Sequence, residues 1–154
     1  MTAVGQVHRS WALDLDVETL YRILRLRVDV FVVEQSCPYP ELDGRDLEPT
    51  TRQLWVADDD GAVLATLRLL EDPPASDGGT MFRVGRVCTD RAYRGQGLTT
   101  RLMETALAEV GERPCRIEAQ TYLTQMYATF GFVAEGDEYL EDGIPHVSMV
   151  RGDA

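Results

Sequence analysis

The spacing of hydrophobic positions changes period several times along the chain, and each change marks an element. A short mixed stretch from Gln6 to Ala12 reads as a first strand. Asp16 then offers a helix N-cap, with Glu18 in the first turn where a carboxylate suits the dipole. Val17, Leu20, Tyr21, Leu24, Val28 and Phe31 recur at three- and four-residue steps and predict one buried helix face. Ser36-Cys37-Pro38-Tyr39-Pro40 stops this helix, because proline lacks a donor and disfavours helix in the residue before it. A polar loop over Glu41–Arg52 follows. Strands are predicted over Leu54–Ala57 and Ala62–Leu70 around the Asp58-Asp59-Asp60-Gly61 turn, the second with Val63, Ala65, Leu67 and Leu69 on one side. Glu71–Thr80 reads as a loop and Met81–Thr89 as a strand. Leu98, Leu102, Ala106 and Val110 mark a helix ended by Gly111, and Arg116–Gln120 is another strand. Leu123, Met126, Tyr127 and Phe130 share a short helix face capped by Gly131. Phe132–Tyr139 and His146–Val150 close the chain as two strands around Asp142-Gly143. The order β-α-β-β-β-α-β-α-β-β predicts a mixed sheet with helices on both faces. No repeat or linker interrupts it, so residues 1–154 are expected to form a single domain.

Composition narrows the function. Twenty-six acidic against fifteen basic residues leave a net charge of −11, opposite in sign to a general nucleic-acid binder. Every basic residue is arginine; the absence of lysine excludes a Walker-type phosphate loop and Schiff-base chemistry. Cys37, Cys88 and Cys115 are odd in number and widely spaced, which argues against a disulfide framework or a cysteine zinc site and fits reduced thiols in a cytoplasm. His8 and His146 lack a second ligand type at metal spacing, so no metal is expected. No basic region leads into an apolar run at the N-terminus, and no apolar stretch approaches the ~20 residues of a membrane span. A soluble intracellular protein without nucleic-acid or membrane partners is expected, and a homodimer stays open.

The segment with the most chemical content is Val84-Gly85-Arg86-Val87-Cys88-Thr89, then Asp90-Arg91-Ala92-Tyr93, then Arg94-Gly95-Gln96-Gly97-Leu98-Thr99 opening a helix. The first turn of a helix carries free N–H groups and a partial positive charge, and glycines let a phosphate reach the backbone. Five arginines between Arg83 and Arg101 against Asp90 alone give a local charge of +4 in an acidic chain. That pattern suggests one phosphorylated ligand held locally. A dinucleotide loop fits poorly: the third glycine of G-x-G-x-x-G is missing and the glycines do not follow the strand directly, although Glu118 mimics the ribose-binding acid.

Arg94-Gly95-Gln96-Gly97-Leu98-Thr99 resembles the acyl-CoA loop R/Q-x-x-G-x-G/A of the GNAT N-acetyltransferases, departing only at Thr99. Tyr127-Ala128-Thr129-Phe130-Gly131-Phe132 matches a second motif of that family, Y-x-x-x-G-F, in the right order and on the expected element. The runs Leu26–Tyr39, Asp43–Asp46, Glu118–Gln120 and Tyr139–His146 resemble its ElaA-like branch, so the similarity covers nearly the whole chain. The resemblance implies a GNAT fold (an α/β, α+β mixed and mostly antiparallel sheet flanked by helices), acetyl-CoA as donor, and a small-molecule or peptide amine as acceptor. It implies that Val87 and Thr89 present backbone groups to the pantetheine arm with Cys88 pointing elsewhere between them. It also implies that Arg94, Gly95, Gln96, Gly97, Leu98 and Thr99 hold the pyrophosphate, with Gln120 added to the cofactor-binding set. Tyr127 would protonate the departing thiolate. Phe31, Glu34 and Glu141 are the acceptor-side candidates. Thr99 could crowd the phosphate or donate to it.

Acetyl transfer needs a neutral amine. Deprotonating a lysine-like amine at pH 7 costs about 4.6 kcal/mol and an α-amine about 1.4 kcal/mol, so a base or water chain is expected. The strand before the loop begins Thr80-Met81-Phe82-Arg83 and offers no carboxylate. Glu34, Glu118, Glu141 and His146 are the alternatives, with His146 preferred because imidazole titrates near working pH. No cysteine has a histidine in its local sequence, which favours direct transfer in a ternary complex over an acetyl-enzyme. Each residue also has a plainer reading: Tyr127 as a core aromatic, His146 as a hydrogen-bonded structural residue, Glu118 as an arginine partner, Cys88 as a buried small hydrophobe. Acidic residues Glu34, Glu41, Asp43 and Asp46 point to a cationic acceptor or to a solvated loop. A non-catalytic acyl-CoA-binding module and an acyl-homoserine-lactone-synthase-like acyltransferase are the competing functions.

Overall fold

The computed structural model describes residues 5–73 and 79–152. Its elements are β1 (Val7–Trp11), α1 (Val17–Val28), β2 (Arg52–Ala57), β3 (Val63–Asp72), β4 (Met81–Thr89), α2 (Leu98–Val110), β5 (Cys115–Gln120), α3 (Thr124–Ala128), β6 (Val133–Glu141) and β7 (Ile144–Arg151), in the predicted order. The strands form one seven-stranded sheet in the order β1-β2-β3-β4-β5-β7-β6. Every pairing is antiparallel except that of β4 with β5.

Local chemistry explains the boundaries. Asp58 Oδ1 accepts the N–H groups of Asp60 and Ala62, both at 2.9 Å, which folds the chain between β2 and β3. Gly111 takes φ +67° and its N–H bonds Leu107 O at 2.9 Å, ending α2. Asp142 and Gly143 both have positive φ, as a two-residue hairpin between β6 and β7 requires.

Leu54 and Val56 join one apolar cluster while Trp55 between them packs on another, so the two clusters lie on opposite faces of the sheet. On the first face α2 buries Leu102, Met103, Ala106 and Val110 against Leu67, Leu69 and Phe82; each large side chain contributes about 1.5–3 kcal/mol of transfer free energy. On the second, α1 packs Ile23 and Leu26 against Val63 and Cys88. Among the described residues no helix is long and apolar enough to cross a membrane.

Three expectations are corrected. The buried stripe of α1 and its extension is Ile23, Leu26, Arg27 and Val30, not the Val17–Phe31 face; Val17 and Tyr21 are exposed. A buried arginine at the centre of that stripe disguised it. The helix does end just before Ser36–Pro40, as expected, but its last stretch, Asp29–Glu34, has π geometry, with Gln35 N–H reaching Val30 O and Cys37 N–H reaching Val32 O. Finally, β3 is covered on both sides, with Val63 to Leu70 all buried and Val63 packing toward α1 rather than with Ala65, Leu67 and Leu69. The loop expected over 71–80 starts later, since β3 runs to Asp72, and 74–78 lie outside the described residues.

Candidate active site

β4 and β5 pair in parallel only from Phe82 with Cys115 to Val84 with Ile117, although β4 continues to Thr89 and β5 to Gln120. The cause sits on the other edge of β4. Gly85 faces Arg68 and Cys88 faces Thr66, so Arg86 and Val87 together oppose Leu67 alone. Arg86 takes φ +52°, the left-handed residue of a bulge that bends the strand. The two parallel strands therefore part, and a cleft of about 790 Å³ opens between them. Gly85 inside a strand pattern was the signal for this bulge.

At the mouth of the cleft stands the loop before α2. Gly95 and Gly97 have φ of +76° and +79°, and a Cβ built on either meets nothing within 4 Å. Gly97 is the N-cap of α2 and has no side chain to occupy the N–H groups of the first turn. The geometry is that of an open anion seat made of backbone amides. Thr99, the departure from the acyl-CoA motif, turns its hydroxyl to Thr89 Oγ1 at 3.1 Å.

Arg94 is engaged elsewhere. Its Nη1 and Nη2 donate to the two carboxylate oxygens of Glu34 at 2.6 and 2.8 Å, and Nε donates to Thr89 O at 3.1 Å. The Arg94 hydrogen bond holds the Glu34 carboxyl below its ordinary range. The local +4 is compensated in the same way: Arg83 meets Asp72 and Glu118, and Arg86 meets Glu41 and Asp43. The acidic loop is likewise no free surface for a cation. Glu41, Asp43 and Asp46 all pair with arginines, and Glu41 and Asp46 are buried.

Deeper in the cleft lies Tyr127, 4% exposed, its ring edge-on to Phe132 at 6.3 Å between centroids. Burial, with Tyr122 and Cys88 nearby, raises its pKa well above that of a free phenol. No protein group among the described residues hydrogen-bonds its hydroxyl. Cys88 packs its thiol among Ile23, Leu26 and Val30, and burial keeps that thiol protonated. Val87 lies on the parted stretch of β4, half-buried. Gln120 Nε2 donates to Gln35 Oε1 at 3.4 Å, joining β5 to the chain after the π segment, and Phe31 from that segment lines the cleft.

On the opposite wall, His146 Nδ1 is 2.7 Å from Ile144 O. A carbonyl only accepts, so the proton sits on Nδ1 and the neutral ring keeps its lone pair on Nε2, which is 3.8 Å from Glu141 Oε2. Glu141 itself is exposed. The imidazole stacks on Tyr139 at 5.9 Å. Glu118 receives three donors: Tyr139 OH at 2.8 Å, Ser148 Oγ at 3.1 Å and Arg83 Nη1 at 3.2 Å. Tyr139, which ties Glu118 to His146, entered the sequence reading only as the start of the Tyr139–His146 run, with no role of its own.

A family model for the acetyltransferase (GNAT) domain matches residues 28–151. The chain belongs to the GNAT family. A UPF0039 protein of Mycobacterium tuberculosis is 60% identical over 145 residues, covering 94% of this chain and 92% of that protein. Protein ElaA of Escherichia coli is 38% identical over 144 residues, 90% of each. Among solved structures, an acyl-CoA N-acyltransferase from Pseudomonas aeruginosa superposes with a TM-score of 0.86 at 44% identity, covering 96% of this chain and 99% of that one. The ElaA-like branch and the GNAT fold expected from the motifs both stand on these matches.

Proposed function

We propose that this GNAT chain transfers acetyl from acetyl-CoA to a primary amine of a small molecule or peptide, in one ternary complex. The observation that carries the reading is a juxtaposition. A glycine-opened helix N-terminus stands at the mouth of a cleft made by two parting parallel strands, and a tyrosine hydroxyl without a partner among the described residues lies inside it. The room left by Gly95 and Gly97 fits a diphosphate at the first turn of α2. The edge of β4 at Val87–Thr89, beyond its pairing with β5, is where backbone groups would meet the carrier arm. Bound there, acetyl-CoA supplies an acyl carbon activated as a thioester.

The protein's own groups then divide the proton work. His146 Nε2, fixed as acceptor by the Nδ1 bond to Ile144 O, takes the proton of the amine directly or through water. The amine nitrogen forms its bond to the acyl carbon as the carbon–sulfur bond breaks. Tyr127, kept protonated by burial, gives its proton to the leaving sulfur and regains one from solvent. Glu118 already receives three donors, so it serves to hold Tyr139 and, through the stacked rings, His146. Glu34 acts on the donor loop through Arg94 rather than on the acceptor. A buried, protonated Cys88 supports direct attack over a cysteine-linked intermediate.

The test couples thiol release from acetyl-CoA to mass spectrometry of an amine panel, with calorimetric acetyl-CoA binding by wild type, Arg94→Ala and Gly97→Glu. Turnover with at least one amine, and weaker binding in the Gly97 variant, are expected. Binding without thiol release for any amine would make the chain a carrier-binding module. A preference for long acyl donors would move it toward the lactone-synthase type. Unchanged affinity in both variants removes the donor site altogether.

A further inference from the structure

Beside the cleft, on the α1 face of the sheet, lies a charge cluster that the reacting groups do not use. Arg27 on α1 is fully buried and forks onto two carboxylates: Nε and Nη2 to Glu41 at 3.0 and 3.2 Å, Nη1 and Nη2 to Asp46 at 2.7 and 3.0 Å. Arg68 on β3 gives Nη1 and Nη2 to Asp43 at 2.9 and 2.6 Å and reaches Asp46 at 3.2 Å. Arg86 closes the set, with Nε 2.7 Å from Glu41 Oε1 and Nη2 donating to Glu41 O at 3.0 Å. Three guanidiniums thus face three carboxylates. Desolvating so many charges is a poor route to stability, since apolar side chains of the same volume serve at least as well. The last member shows what else the cluster does. Arg86 is the left-handed residue of the β4 bulge, a conformation disfavoured for any residue with a Cβ.

We propose that Glu41, itself gripped by buried Arg27, is a positioning residue for acyl transfer: by holding the Arg86 side chain it fixes the bulge and hence the line of Val87–Thr89 along which the acyl-CoA arm runs. This inference rests on the donor site proposed above. Arg86 is held by the ion pair of its Nε with the Glu41 carboxylate, by Nη2 hydrogen bonds to Glu41 O and to Asp43 Oδ2 at 3.4 Å, and by the Tyr39 ring at 5.6 Å, so the anchored side chain favours the backbone conformation. A residue acting this way affects the donor and not the amine.

Glu41→Gln, Arg86→Ala and Arg86→Gly separate this role from plain stability. Each is compared with wild type below its own melting transition, by acetyl-CoA calorimetry and by KM for donor and for amine. Glu41→Gln and Arg86→Ala should weaken donor binding about tenfold, with the donor KM following and the amine KM nearly unchanged. Arg86→Gly lacks the guanidinium but adopts positive φ freely, so it should bind the donor within about threefold of wild type. The double variant Glu41→Gln/Arg86→Gly should bind like Arg86→Gly alone. Equal donor affinities in the folded Ala and Gly variants, or a normal donor KM in Glu41→Gln, overturn the proposal while leaving the donor site standing. A wild-type chain that binds no acetyl-CoA overturns both.

Discussion

Replacing Tyr127 by phenylalanine separates a catalytic hydroxyl from a structural one, because the two roles predict opposite things. The ring is 4% exposed and packs edge-on against Phe132, and Phe keeps both contacts. The hydroxyl has no protein partner among the described residues, so its removal breaks no protein hydrogen bond and exposes no buried acceptor. A typical bonded hydroxyl contributes about 0.5–1.5 kcal/mol; here the loss should stay below that range, a shift of less than about 3 °C in melting temperature for a chain of this size. Donor affinity, set by the loop before α2, should also hold. Turnover is another matter. A positioned acid for the leaving thiolate contributes roughly 10²- to 10⁴-fold, and phenylalanine removes all of it. The assay is thiol release under saturating acetyl-CoA and amine, with calorimetry and a thermal melt on the same preparation. If Tyr127→Phe melts many degrees lower, or loses donor affinity in step with turnover, the tyrosine is a core aromatic and the assignment of the acid fails.

Gly97→Ala forces a Cβ into φ +79°, costing about 1–2 kcal/mol, and places a methyl where the diphosphate would approach; acetyl-CoA affinity should fall at least tenfold with a modest drop in melting temperature. Arg27→Met leaves Glu41 and Asp46 without their fork, and a buried pair broken from one side should cost about 3–5 kcal/mol, read by urea denaturation; an unchanged midpoint would mean the cluster is looser than its distances imply. Burial pushes the Asp43 and Asp46 carboxyls up, but hydrogen bonds and charge from Arg68 for the first and Arg27 for the second outweigh it and hold both below the ordinary range. The stability they contribute is therefore complete above about pH 4 and drains as pH falls below it, and Asp43→Asn should flatten that acid limb of a stability–pH curve. His146→Gln should lower kcat/KM roughly 10²- to 10⁴-fold while sparing donor binding; an unchanged kcat/KM would assign the base elsewhere.

What could be read from the sequence follows from the range of the interactions involved. Helix starts, turns and strand alternation are local, so Asp16, Gly111, Asp58–Gly61 and Asp142-Gly143 announced the ends of elements, and the element order followed. The glycine-opened start of α2 was legible for the same reason: two glycines before a helix leave its first-turn amides open within six residues, and the proposed donor seat uses them. Charge was misleading because its partners are distant. Five arginines within Arg83–Arg101 look cationic in a window, yet Glu34, Glu41, Asp43, Asp72 and Glu118 come from other elements to neutralise three of them. The buried face of α1 was hidden by the same long-range pairing, since Arg27 counts as polar until Glu41 and Asp46 are brought to it. The proposed acceptor wall depends on Tyr139, Glu118 and His146 meeting across three strands, β6, β5 and β7. With the side chain of Arg94 already committed to Glu34, the proposed donor site relies on the amides of α2 for its anion. In the proposed function, selectivity for the amine rests on contacts that only the assembled sheet creates, whereas the two motifs that point to the GNAT family, and so to an acyl-CoA donor, are local.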